Sequence, residues 1–266
     1  MATARPPVMF VHGLWLHAES WQNWVDLYRG AGYDPIAPGW PGAAPSVAET
    51  RASPDVMAGH GIADIAEHYA EIIRSLDSKP IVIGHSFGGL IAQKLIGNEL
   101  ASAAIAIDPA PMKGVLPLPF SAFRVASVAL RNPANRNRVV ALTPAQFRYG
   151  FGNAIPERES AELFERWTIP SPGRPLFEAA FANIAPNSPA RVNTTNGTRG
   201  PLLVISGEKD HTVPPAIARA TFKRYRTSSA VTDFQQFAGR GHSLTLDRGW
   251  REIAEATLTW LKERGQ

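Results

Sequence analysis

The sequence contains no cysteine, which excludes disulfide bonds, thiolate metal sites and a cysteine nucleophile. It also contains no run of about 18 consecutive apolar residues, so we expect no membrane-spanning segment. The apolar run nearest the amino terminus, residues 8–11, is too short for the core of a secretory signal peptide. These absences favour a reducing compartment, and we expect the protein in the cytoplasm.

Charge is also sparse in this chain. Charged residues make up 19% of the 266, and the net charge of +4 is a mild surplus of cations for this length. The basic residues lack the aromatic and glycine-rich surroundings that are typical of nucleic-acid-binding proteins. We therefore expect no nucleic-acid partner. We also expect a small-molecule partner, no metal ion, and a monomer or homodimer.

Short apolar strands alternate with amphipathic helical patterns along most of the chain. About six strands are predicted, at residues 8–11, 34–37, 80–83, 103–107, 202–205 and 231–237. Helical patterns are found at residues 21–31, 61–76, 90–100 and 250–263. This alternation predicts an α/β fold with a mainly parallel sheet flanked by helices on both faces.

The interval between residues 110 and 199 breaks this alternation. It has no convincing strand, eleven prolines, many large apolar side chains, and short helical patterns at residues 121–130, 144–151, 157–167 and 176–184. A disordered linker would not carry so much apolar surface. We expect residues 1–110 and 200–266 to form a core and residues 111–199 to form a helical cap inserted between core strands.

A glycine-rich turn after the third predicted strand contains the candidate nucleophile. Residues 84–88 read Gly-His-Ser-Phe-Gly, which is the Gly-x-Ser-x-Gly pattern between a strand and a helix. Such a turn lifts the hydroxyl of Ser86 out of the sheet, and its glycines remove Cβ atoms that would collide across it. The sequence therefore predicts that Ser86 is the nucleophile of a serine hydrolase.

A serine hydroxyl needs a base before it can attack, and His242 is the candidate. His242 lies in a glycine-containing loop between the last predicted strand and the last helix. Asp210 follows the strand at residues 202–205, where its carboxylate can hold the far ring nitrogen of His242. Asp108, which also ends a strand, is the alternative acid. The order serine, acid, histidine along the chain favours Ser86, Asp210 and His242 as the catalytic residues.

An acyl-transfer site also needs two backbone N–H groups that stabilise the developing oxyanion. Phe87, directly after the nucleophile, supplies one of them. The loop after the first strand reads His-Gly-Leu-Trp at residues 12–15. In this loop Leu14 is the predicted second donor and Trp15 is the alternative. We expect His12 to fix the loop rather than to take part in the chemistry.

At these motifs the chain resembles the α/β-hydrolase superfamily. The resemblance rests on residues 12–15, 84–89, 207–210 with 213–214, and 241–242. Among its members the chain is similar to the compact group that contains plant methyl esterases and hydroxynitrile lyases. The resemblance implies a six-stranded parallel core, a helical cap above the active site and no cofactor.

The resemblance does not determine the reaction, because this superfamily supports many chemistries on one fold. Serine at position 86 argues against haloalkane dehalogenases and epoxide hydrolases, which use aspartate there. We expect hydrolysis of a carboxylic ester or lactone through an acyl-enzyme. The alternatives are a lyase or carbon–carbon bond hydrolase, for which Lys209 or Arg240 is a candidate cation, a cofactor-free haloperoxidase or perhydrolase, and a receptor-like member that binds a ligand without converting it.

Large apolar side chains of the predicted cap favour a hydrophobic acyl or alcohol group over a sugar or a highly charged substrate. The predicted pocket residues are Trp15, Met112, Leu116, Phe120, Phe147, Phe151, Trp167 and Leu244.

Overall fold

The computed structural model describes residues 7–266. The strands are β1 (Pro7–Val11), β2 (Asp34–Ile36), β3 (Ile81–His85), β4 (Ala103–Ile107), β5 (Val139–Val140), β6 (Ser171–Pro172), β7 (Leu202–Gly207) and β8 (Thr232–Phe237). Six of them form one sheet in the order β2-β1-β3-β4-β7-β8, and all neighbours in it are parallel. Strands β5 and β6 form a separate antiparallel pair.

Helices connect the strands and cover the sheet. Within residues 7–266 they are α1 (Gln22–Gly30), α2 (Val47–Ala52), α3 (Ile62–Arg74), α4 (Phe87–Gly97), α5 (Phe120–Leu130), α6 (Pro144–Gly150), α7 (Glu157–Trp167), α8 (Arg174–Ala180), α9 (Pro215–Lys223) and α10 (Trp250–Glu263). No helix in this part of the chain is long and apolar enough to cross a membrane.

The central strands are buried on both faces, which explains their continuous apolar sequence. Successive side chains of a strand point to opposite faces. In β3, Val82 therefore belongs to one apolar cluster, and Ile81 and Ile83 belong to the other. Helices α3 and α4 contribute to the first cluster, and α1 and α10 contribute to the second. The predicted six-stranded parallel sheet flanked by helices is confirmed.

The segment between β4 and β7 contains α5 to α8 and the small β5–β6 pair. Its buried apolar side chains, among them Val125, Phe147 and Leu163, join the cluster on the α3–α4 face of the sheet. Helices α2 and α9 were not anticipated from the sequence. Helix α4 begins at Phe87, three residues before the predicted start, and therefore directly after Ser86.

The topology places the chemically interesting residues at one edge of the sheet. Ser86 follows β3, Asp108 follows β4, Asp210 follows β7 and His242 follows β8. Parallel strands present their carboxyl ends at the same edge, where open α/β sheets bind their ligands. Four residues that are far apart in sequence therefore converge.

Candidate active site

Ser86 has a strained backbone that the neighbouring strand holds in place. Its φ and ψ are 57° and −120°, a backbone conformation that residues other than glycine rarely adopt. The amide of Ser86 donates to the carbonyl of Ile107 at 2.9 Å, and its carbonyl accepts from the amide of Ala110 at 2.9 Å. Both partners lie at or just beyond the end of β4, so the turn is fixed by the sheet.

The glycines of this turn are required by close backbone contacts. A Cβ atom on Gly84 would lie 2.0 Å from the carbonyl oxygen of Gly88. A Cβ atom on Gly88 would lie 2.0 Å from the carbonyl oxygen of Val11. Either side chain would force the backbone apart, so β1, β3 and α4 can approach this closely only because both positions are glycine.

His242 and Asp210 form a short, buried hydrogen bond. The Nδ1 atom of His242 lies 2.6 Å from Oδ2 of Asp210. The other carboxylate oxygen, Oδ1, accepts from the amides of Thr212 at 2.7 Å and Val213 at 2.8 Å. Three donors therefore fix the carboxylate. With Nδ1–H donating to Asp210, Nε2 of His242 carries the lone pair, and it has no hydrogen-bond partner within residues 7–266.

Asp108 lies close to the same histidine but is bonded elsewhere. Its Oδ2 atom is 4.0 Å from Nδ1 of His242, whereas Oδ1 accepts from the amide of Gly207 at 2.7 Å. Burial, and next the neighbouring carboxylate of Asp210, raises the pKa of Asp108 well above its usual range. A carboxyl group that tends to stay neutral is a poorer partner for an imidazolium than Asp210.

The predicted oxyanion donors are the backbone amides of Leu14 and Phe87. Both residues line the cavity, as Ser86 does. Neither amide has a hydrogen bond within the described part of the chain. The alternative donor is occupied, because the Trp15 amide donates to Oγ of Ser171 at 2.9 Å. The Trp15 amide is therefore already engaged, by a residue that lies 156 positions away in sequence.

His12 fixes the loop that carries Leu14. Its Nε2 accepts from the amide of Trp40 at 3.2 Å, so Nδ1 bears the proton and donates to the carbonyl of Gly13 at 2.9 Å. The indole N–H of Trp40 donates in turn to the carbonyl of His12 at 3.1 Å. Burial lowers the pKa of His12 to about 3, so the ring is neutral and structural.

His85 completes the buried group around His242. The two rings have their centroids 4.5 Å apart, and burial, followed by the neighbouring His242, lowers the pKa of His85 well below its ordinary value. His85, Asp108 and His242 offer ligand atoms within 4.8 Å of one another, the one such group found within residues 7–266. All three are buried. Two of them are hydrogen-bonded outside the group, His242 to Asp210 and Asp108 to the amide of Gly207.

A cavity of about 250 Å³ opens above Ser86. Within residues 7–266, no charged side chain lines it. Besides Ser86, its polar side chains are Asn183 and Thr212, and both are engaged with backbone groups. Apart from the Ser86 hydroxyl and the amides of Leu14 and Phe87, the wall therefore offers a ligand mainly apolar contacts.

Half of the predicted pocket residues lie on this cavity. Trp15, Met112, Leu116 and Phe151 line it, and the Phe151 ring also packs edge-on against His242, with centroids 4.8 Å apart. The other four do not line it. Phe120 is 76% exposed, Phe147 is buried behind Phe151 in a stacked pair, Trp167 stacks under Arg166, and Leu244 is in the cluster on the opposite face of the sheet.

The cations considered for a lyase reaction are also away from the cavity. Lys209 is exposed, and the guanidinium of Arg240 is hydrogen-bonded to the carboxylate of Asp247. The carboxylate of Asp247 also accepts from Ser243, so Arg240 serves to fix the loop that carries His242. Among the residues that the structure describes, no cation therefore faces the space above Ser86.

Comparison with known families agrees with this geometry. The model of the Alpha/beta hydrolase family matches residues 8–256, which is most of the chain. The chain belongs to the alpha/beta hydrolase family. The resemblance stated from the sequence motifs is thereby confirmed. No curated protein sequence is similar to this hydrolase at a significant level.

Solved structures share the fold of this hydrolase over nearly its whole length. A monoacylglycerol lipase from Paleococcus ferrophilus has a TM-score of 0.70 at 21% identity, covering 97% of this chain and 96% of that chain. An esterase from Exiguobacterium antarcticum has a TM-score of 0.70 at 18% identity, with 97% and 92% covered. A methylesterase from Arabidopsis has a TM-score of 0.67 at 17% identity, covering 97% of this chain and 99% of that chain. At these identities the likeness establishes the fold.

Proposed function

We propose that this protein hydrolyses a carboxylic ester or lactone whose acyl or alcohol group is hydrophobic. The observation that carries the proposal is the position of Ser86, at a strained turn that opens into an uncharged apolar cavity. The bond between His242 and Asp210 supports it, because it leaves Nε2 of His242 free to accept a proton. The esterases and the lipase that share the fold agree with this reaction type.

In the proposed reaction, Ser86 Oγ attacks the ester carbonyl carbon as its proton passes to Nε2 of His242. The amides of Leu14 and Phe87 donate to the resulting oxyanion. The bond to the alcohol oxygen then breaks, and His242 returns the proton to that oxygen. A water molecule repeats the attack on the acyl-enzyme, with His242 again taking and returning the proton, which releases the acid and restores Ser86.

We also propose that the segment between β4 and β7 acts as the cap that selects the substrate. It provides most of the cavity wall, including Met112, Val125, Phe151 and Leu176. The reaction occurs at the edge of the sheet, but only molecules that fit among these side chains reach it. The small cavity with no free charged group favours a compact, apolar substituent.

The test is a panel of soluble p-nitrophenyl esters and lactones of increasing acyl length, assayed with wild-type protein and with Ser86→Ala. We expect Ser86-dependent hydrolysis that is best for apolar acyl groups and poor for charged ones. A fluorophosphonate probe should label the wild type and leave Ser86→Ala unlabelled. Equal labelling of the two proteins, or turnover of cyanohydrins or diketones without esterase activity, would reject the proposal.

A further inference from the structure

Exposed apolar side chains concentrate around the mouth of the cavity. Eight large apolar side chains within residues 7–266 are exposed, and six of them belong to the segment between β4 and β7. We call these six the cap patch: Leu116, Leu118, Phe120, Phe123, Phe181 and Ile184. Their side chains are 50–77% exposed. A concentration of this kind on a protein surface is typical of a contact site for a partner or a membrane.

The cap patch is one surface although it comes from two stretches of chain. The side chain of Asn183, between Phe181 and Ile184, joins them. Its Oδ1 accepts from the amide of Gly114 at 2.7 Å, and its Nδ2 donates to the carbonyl of Val115 at 2.9 Å. Helices α5 and α8 also contact each other directly.

The cap patch continues into the cavity. Leu116, Leu118 and Phe123 are exposed and also line the space above Ser86. An apolar chain that leaves a lipid surface at the patch would therefore remain in contact with apolar side chains until it reaches Ser86.

The stretch of chain that carries Leu116, Leu118, Phe120 and Phe123 is positively charged and contains no acidic residue. The acidic residue nearest to Phe181 in sequence, Glu178, is ion-paired with Arg174. From residue 109 to residue 156 there are six lysines and arginines and neither aspartate nor glutamate. Arg124 lies one helical turn after Phe120 on the exposed face of α5, and Arg131 lies two turns further on the same face. Within residues 7–266, neither arginine forms an ion pair.

We propose that this hydrolase docks on an anionic lipid surface through the cap patch, with the mouth of the cavity facing the lipid. Apolar side chains enter the boundary between headgroups and acyl chains, and neighbouring cations are attracted to anionic headgroups. A second copy of the chain is a poorer occupant, because a symmetric contact would bring the same unpaired cations together.

The docking proposal concerns binding and does not depend on catalysis. It rests on the proposed function only for its consequence, which is that an amphiphilic ester would enter the cavity from the lipid side. Binding by Ser86→Ala therefore separates the two proposals, because the docking surface is intact in that variant whatever the reaction is.

The experiment is co-sedimentation of the full chain, wild type and Ser86→Ala, with phosphatidylglycerol vesicles and with phosphatidylcholine vesicles at low salt. We expect both proteins to bind phosphatidylglycerol vesicles at least about tenfold more tightly than phosphatidylcholine vesicles. High salt should remove most of this preference, because it screens the attraction of surface charges.

Two pairs of substitutions test the two parts of the surface. Phe120→Ser with Ile184→Ser, neither of which lines the cavity, should weaken binding to phosphatidylglycerol vesicles about tenfold or more. Arg124→Gln with Arg131→Gln should weaken it about fivefold for each arginine and leave phosphatidylcholine binding unchanged. Both double variants should hydrolyse a soluble short ester at the wild-type rate, which shows that they are folded.

Matched controls lie on the opposite edge of the sheet. Val231 is an exposed apolar residue directly before β8, and Lys79 is an exposed cation shortly before β3. Neither Val231→Ser nor Lys79→Gln should change vesicle binding. Absence of vesicle binding, equal loss in these controls, or no preference for phosphatidylglycerol would overturn the proposal. A dimer in solution that Phe120→Ser with Ile184→Ser dissociates would also overturn it, since the patch would then be a contact between copies.

Discussion

The carboxyl edge of the sheet and the segment between β4 and β7 meet at Ser86, and they differ in how they are held together. At the edge, polar groups are paired in detail. The Asp210 carboxylate accepts three hydrogen bonds, His12 bonds through both ring nitrogens, and the Ser86 backbone is bonded to residues at the end of β4. Such a network holds each group in a single position, and an attacking atom requires this precise positioning.

The segment between β4 and β7 has an apolar interior, and polar links at its boundary join it to the rest of the chain. Ser171 accepts from the Trp15 amide, and Asn183 joins the loop before α5 to the end of α8. Its interior is made of alanines, valines, leucines and phenylalanines. In the proposed function, the edge would supply the reacting atom, whereas the segment above it would select which molecule reaches that atom and from which side.

The largest expected effect separates the two carboxyl groups at the edge. Asp210→Asn preserves the oxygen that accepts from Thr212 and Val213 but disfavours the ring tautomer needed at His242, so we expect kcat to fall about 10⁴-fold. Asp108→Asn preserves the acceptor for Gly207 and removes a carboxyl whose pKa burial raises. It should cost less than about tenfold in kcat and leave the protein at least as stable near neutral pH.

The measurement is kcat on a soluble ester for both variants, with thermal unfolding as the control for folding. If Asp108→Asn proved the more damaging of the two, Asp108 would be the acid and the comparison of the two carboxyl groups would be reversed.

A second prediction tests the rigidity of the edge through pH. The pKa of His12 is lowered to about 3 in the folded chain, whereas an unfolded histidine takes up a proton near pH ~6.5. The neutral ring of His12 therefore stabilises the folded chain fully above the pKa of an unfolded histidine. This contribution is lost as the pH falls toward 3. From about pH 7.5 to about pH 5, His12 should lower the free energy of unfolding by about 2 kcal/mol.

Nuclear magnetic resonance measures this directly. The ring signals of His12 should remain those of a neutral imidazole down to about pH 4 in the folded protein. Titration with an ordinary midpoint would mean that the loop before Leu14 is open to solvent, contrary to the structure.

The smallest expected effect tests the segment above the edge. Ala126 lines the cavity from α5, and Ala126→Leu adds three carbon atoms to the wall. We expect kcat/KM for the longest accepted acyl group to fall about tenfold, with the shortest ester unaffected. The exposed alanine at position 63 of α3 provides the control, Ala63→Leu. A uniform loss for all chain lengths would indicate damage at the edge instead of a narrower cavity.

The same contrast explains what the sequence could predict. The edge is encoded locally: a buried strand followed by a glycine-rich turn indicates Ser86, and loops after later strands indicate Asp210 and His242. All three lie at the same edge of the sheet, and His242 is hydrogen-bonded to Asp210. The predicted strands were also close to their observed bounds, since buried β-branched runs leave little freedom. Helix α9 was missed because Pro214 and Pro215 resemble a loop, although Pro is favoured in the first turn of a helix.

The cap segment could be predicted only in composition. Its apolar residues were identified, but their directions depend on tertiary packing. Phe147 and Phe151 lie one turn apart on one stretch of chain, and only Phe151 reaches the cavity because Phe147 stacks behind it. The occupation of the Trp15 amide by Ser171 was also unpredictable, because no local pattern links those positions.

The central claim is that Ser86 forms a covalent acyl-enzyme, and mass spectrometry tests it most directly. Wild-type protein is mixed with a p-nitrophenyl ester of an apolar acid, quenched in acid during turnover and digested. The account predicts the mass of the acyl group on the peptide that contains Ser86, and no such adduct in Ser86→Ala. Steady hydrolysis by Ser86→Ala at the wild-type rate, with no acylated Ser86 in the wild type, would contradict it.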